Sequence, residues 1–165
     1  MKRIIIFLLL SAICVGMVGC SEAADTMKRN VNFYYLSDPV TYEGENGLTA
    51  PESREVTGSA GDQLQVWLDI YFEGPKSKGF QSPFPENVKT LKVSQDRRIL
   101  KVLLSSEFLV LKDLELTIAC TCIARTLFEL TGYNTVEISA PKPFHDGRTS
   151  IIVNKDSFVF MDAIL

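Results

Sequence analysis

The segment from Asp113 to Gly132 constrains this chain more than any other, because its apolar residues fit a single periodicity. Leu116, Cys120, Ile123, Leu127 and Leu130 recur at spacings of four, three, four and three. That is the stripe of an amphipathic helix with 3.6 residues per turn. Asp113 offers a cap at its start and Gly132 a left-handed stop at its end. Such a helix must bury its stripe, so the other elements have to supply a complementary apolar surface.

They do so mostly as strands. Val31–Leu36 is aromatic and β-prone and runs into Ser37-Asp38-Pro39, which marks a strand and its end. Residues 37–61 are rich in Gly, Pro, Ser, Thr and Glu and predict a long loop with one short strand near Arg54–Val56. Asp62 offers an N-cap to a second helix, with Leu64, Leu68 and Tyr71 on one stripe and Trp67 beside them. Gly74 and Pro75 stop it, the first permitting a left-handed residue and the second forbidding continuation. A second loop, 76–87, precedes strands at about 88–94 and 98–104 joined by a turn at 95–97. Asn134–Ser139 is a strand halted by Pro141 and Pro143. Ile151–Val153 and Phe158–Phe160, around Asn154-Lys155-Asp156, predict a C-terminal hairpin. The order strand-helix-strand-strand-helix-strand predicts a two-layer α+β domain, both helices packed on one face of a mixed sheet.

The N-terminus is built for export. Lys2 and Arg3 precede an apolar run from Ile4 to about Val15, too short for a membrane span but of signal-peptide length. Met17-Val18-Gly19-Cys20 resembles the bacterial lipobox, with Val18 larger than the usual Ala or Ser two places before the cysteine. Cys20 is thus the expected lipid attachment (palmitate-type acylation), residues 1–19 a signal and 20–30 a tether. Removal of the signal leaves 146 of the 165 residues, enough for one domain. Net charge then moves from −3 to −5, since the signal carries only Lys2 and Arg3. An acidic domain argues against nucleic acid and against electrostatic docking on anionic lipid. Diacylation would have to hold the membrane, placing the domain on the extracytoplasmic face.

An aromatic first strand, a helix ending in Glu73-Gly74-Pro75 and the loop Gly79-Phe80-Gln81-Ser82-Pro83-Phe84-Pro85 carry a family resemblance. Two strands ending in Leu104-Ser105-Ser106-Glu107-Phe108, the helix over Leu116–Leu130 and the strand Val136-Glu137-Ile138 complete it. Together these resemble the GerMN domain of sporulation and spore germination over residues 31–140, leaving 141–165 as an extension. Some members carry the domain twice, and this chain carries one copy. The resemblance implies a lipoprotein that binds envelope protein partners, with association between copies as one option. An alternative from another class is a binding module for cell-wall glycan or peptide.

Chemistry-bearing residues are sparse. His145 is the single histidine, between Phe144 and Asp146, and reads as a loop residue; a lone catalytic base there would need a partner. Cys120 and Cys122 stand two apart, about 200° round a helix, so they cannot chelate one ion or form a redox pair without unwinding it. Cys120 lies on the stripe as a small core residue; Cys122 is expected at the helix flank or exposed. The acidic groups, Glu52, Asp69 and Glu73 among them, are scattered and read as a solvated surface. No phosphate loop or nucleophile motif occurs. The chain therefore reads as a non-enzyme without cofactor or metal. Phe80 and Phe84 either plug the end of the core or form an apolar partner contact.

Overall fold

Residues 28–38 and 48–157 are described by the computed structural model of the chain. The expected signal, Cys20, most of the expected tether and Phe158–Phe160 lie outside these described residues.

The first sheet is built on an antiparallel pair, β1 (Lys28–Ser37) and β2 (Thr49–Thr57), in register from Lys28↔Thr57 to Leu36↔Thr49. β1 begins three residues inside the expected tether, because β2 is long enough to pair with it there. β2 is itself the largest departure from the sequence reading, nine residues in place of a short strand near Arg54–Val56. Pro51 and the charges disguise it. On an edge strand the missing N–H of proline costs no ladder bond, and here the strand's outer side has no partner among the described residues. Glu52, Arg54 and Val56 alternate toward the side shared by Val31, Phe33 and Tyr35.

α1 (Ala60–Phe72) starts two residues before Asp62, with Ser59 at the cap position and its carbonyl accepting from Gln63 N at 2.9 Å. Leu64, Trp67, Leu68 and Tyr71 are buried as expected. Tyr71 stacks on Phe33 with ring centroids 5.3 Å apart, tying α1 to β1. Gly74 has φ +88°, the left-handed stop that its position required. Within the expected loop, β3 (Phe80–Gln81) pairs with the end of β1, giving the order β2-β1-β3.

β4 (Thr90–Asp96) and β5 (Ile99–Leu104) open a second sheet. A 3-10 turn at Ser106–Val110 and the long α2 (Asp113–Thr131) lead to β6 (Thr135–Ser139), parallel to β5, and β7 (Ser150–Asn154) closes the order β4-β5-β6-β7. The α+β class, two helices with mixed pairing, is as expected, but the strands divide between two sheets. Ile151–Val153 forms an antiparallel pair with β6.

α2 explains the division. It packs on β1 of the first sheet and on β6 and β7 of the second. Ala119 to Ala124 are buried without a break, so this stretch is enclosed all round rather than apolar on one stripe. Lys112 holds the cap position and Asp113 stands in the first turn, where with Glu115 its charge complements the helix dipole. Gly132, at φ +73°, ends the helix as expected.

Candidate functional site

The loop after α1 is held by a buried pair that the sequence reading left on the surface. Glu52 is only 3% exposed, where a solvated carboxylate was expected. Its Oε1 accepts from the backbone N–H of Lys76 at 2.9 Å and of Ser77, while Arg54 Nε donates to Oε2 at 2.6 Å. Arg54 also donates to the carbonyls of Ile70 at 3.2 Å and Gly74 at 2.6 Å and to the Tyr35 hydroxyl at 3.1 Å. The guanidinium thus satisfies carbonyls that the end of α1 would leave bare, and its charge suits that negative helix end. Burial pushes the Glu52 carboxyl up, but hydrogen bonds from Ser77, Arg54 and Lys76 outweigh it and hold it below its ordinary value. The clue in the sequence is the Glu-x-Arg spacing, which shares a face only if 49–57 is a strand.

The aromatic residues of the 76–87 loop belong to the interior. Phe84 is buried, its ring edge-on to Tyr71 at 4.9 Å and to Phe72 at 5.0 Å. It plugs the end of the core and has no free face to offer, which corrects its reading as a partner contact. Phe80, on β3, is partly buried against the same core. The loop is tied down at one end by Glu52 and at the other by β3, so its apolar side chains turn inward.

Cys120 and Cys122 are unbridged and both buried. The expectation of an exposed or flanking Cys122 fails because α2 has an apolar neighbour on each side, β1 as well as β6. Burial pushes the Cys120 thiol up to about 12 and the Cys122 thiol higher still. Neither is a ready thiolate. His145 is exposed, in a loop closed by Phe144 N donating to Arg148 O at 2.8 Å. Among the described residues no three His, Cys, Asp or Glu side chains gather as an ion site. Among the described residues, Cys120, Cys122 and His145 thus form no common site, while Phe80 and Phe84 meet only in the core.

The sheet edges differ from one another. That of β1 is closed by side chains: Tyr34 N–H donates to Thr126 Oγ1 at 2.9 Å, and the Tyr71 hydroxyl donates to the Tyr34 carbonyl at 2.6 Å. The start of β4 is closed by α1, Thr90 N–H donating to Asp69 at 3.2 Å and Gln65 donating to Thr90 O at 3.2 Å. β2 carries Pro51 on its edge. β7 has no second neighbour among the described residues, and Ile152 on it is 56% exposed. An open edge with an apolar side chain beside unpaired backbone groups is a template for strand addition.

Against known proteins, the model of the Germane family, described as sporulation and spore germination, matches residues 32–140. The tandem GerMN domains of the sporulation protein GerM from Bacillus subtilis have a similar structure, with TM-score 0.56 and 17% identity over 82% of this chain and 47% of that one. The first GerMN domain of the same protein gives TM-score 0.54 and 16% identity over 74% of this chain and 93% of that one. This chain thus spans about half the length of the tandem structure. At such identities the likeness is one of fold. No curated protein matches in sequence.

Proposed function

The chain belongs to the Germane family of sporulation and spore germination domains, and from that premise we propose that it is a membrane-anchored envelope lipoprotein whose domain binds protein partners and performs no turnover. The observation that carries this reading is the extent of the family match, residues 32–140, which takes in nearly the whole described domain. Anchoring rests on the signal and Cys20, since no helix among the described residues is long and apolar enough to cross a membrane.

Binding by strand addition suits the fold. The β1 edge and the start of β4 are closed by side chains, whereas β7 leaves backbone donors and acceptors beside an exposed Ile152. A partner strand there would gain main-chain hydrogen bonds and an apolar contact together. A photo-crosslinking residue at position 152 of the full-length chain, expressed in sporulating cells, should give a discrete adduct with an envelope protein. Ile152→Lys, a charge of the kind that guards natural edges, should prevent capture by a crosslinker at position 150 without lowering the melting temperature. Absence of an adduct in both sporulating and germinating cells overturns the reading. So does release of cell-wall fragments by the purified chain that His145→Ala abolishes.

A further inference from the structure

We propose that the groove beside the β4–β5 turn receives the carboxylates of an acidic polypeptide segment, held by Arg97 and Arg98. The inference rests on the protein-binding reading above and names a second contact for it. Asp96 pairs with Ile99 across a two-residue turn, so both arginines stand at its tip. Arg97 has φ 55°, in the left-handed region where Gly or Asn would fit with less strain. Both side chains are exposed, and among the described residues neither takes part in a hydrogen bond or ion pair.

The surrounding charges are already committed. Asp96 stands beside the arginines, but Lys101 holds it at 3.0 Å and Glu137 at 3.3 Å, so neither carboxylate is paired with an arginine. A chain of net charge −3 therefore displays two adjacent free guanidiniums at one point. They line a groove of about 510 Å³ together with Tyr133 and Asn134, and, with Ile99 and the Lys101-paired Asp96, an adjoining depression of about 590 Å³. The groove also takes in the C-terminal end of α2, whose partial negative charge gives an anion no backbone cradle. Recognition must then come from the side chains. Guanidinium forks match carboxylates bidentately, and two forks in succession suit neighbouring acidic residues of one segment. Half-buried Tyr133 adds an aromatic wall for the intervening backbone. An anionic bilayer fits less well, because two basic groups on an acidic chain hold weakly to it.

The test uses the full acylated chain in phosphatidylcholine nanodiscs and a fluorescent peptide of alternating Glu and Gly. Its anisotropy should rise saturably and fall back with added salt, and the matching Gln peptide should bind at least about tenfold more weakly. Arg97→Gly/Arg98→Gln should lose binding by a similar factor while melting as the parent does, since glycine suits the turn. Amide resonances of Tyr133 and Asn134 should shift when the Glu peptide binds the parent. Equal binding of the two peptides, equal binding by the variant, or association only with phosphatidylglycerol nanodiscs overturns the proposal. If the Glu peptide fails while the adduct at position 152 persists, the groove assignment falls and the protein-binding reading stands.

Discussion

A buried carboxylate is stable only where its lone pairs are met, and Glu52 meets this with two backbone amides and a guanidinium. Removing the counter-charge should therefore cost more than a surface pair would. Arg54→Ala leaves Glu52 buried and bares the Ile70 and Gly74 carbonyls, so urea unfolding should show a loss of about 3–5 kcal/mol. The pH dependence follows from the same site. The folded carboxyl titrates below its ordinary 4.5, so its contribution is complete above that value and is lost as pH falls through the folded one. Glu52→Gln should flatten this acid limb in urea midpoints measured from pH 6 to pH 3 (about the carboxylate range). Phe84 gives the complementary test. Phe84→Ala should cost about 3–5 kcal/mol as a core truncation; a loss under about 0.5 kcal/mol, as at a surface site, would return it to the surface.

Among the elements, α2 joins the two sheets. Leu127 is fully buried in its C-terminal half, and Leu127→Ala should cost about 2–5 kcal/mol in a urea melt. Thr126, one residue earlier, faces β1 and supplies the acceptor for Tyr34 N–H. Thr126→Val keeps the shape but orphans that donor, at an expected cost of about 1–3 kcal/mol. Slower unfolding of the Val variant than of the parent would show that the hydroxyl is dispensable. The helix itself was legible from its stripe. Its second buried flank was not, because Thr121, Cys122, Ala124 and Thr126 are small or weakly polar and carry no periodic signal of their own. Small residues let a helix approach a strand edge closely, but a sequence shows only that they are small. β2 was hidden for a related reason: its inward residues include Glu52 and Arg54, and charges at core positions break the alternation by which strands are recognised.

At the scale of the whole molecule, the proposed membrane anchor rests on Cys20, which lies outside the described residues. Cys20→Ala should abolish incorporation of a fatty-acid analogue and release the chain from the membrane fraction; labelling equal to the parent would place the anchor elsewhere. The sequence by itself determined what depends on neighbours along the chain: α1 and α2, the glycine stops at 74 and 132, the β4–β5 pair and the family. These follow from periodicity and from local backbone preferences, which act over a few residues. Only the tertiary structure decided which charges are buried, which edges are closed and which side of Phe84 faces the core. Each of these depends on a contact between distant segments, such as Glu52 with the 76–77 amides or Thr126 with Tyr34, and the free energy of that contact has no signature in either segment alone.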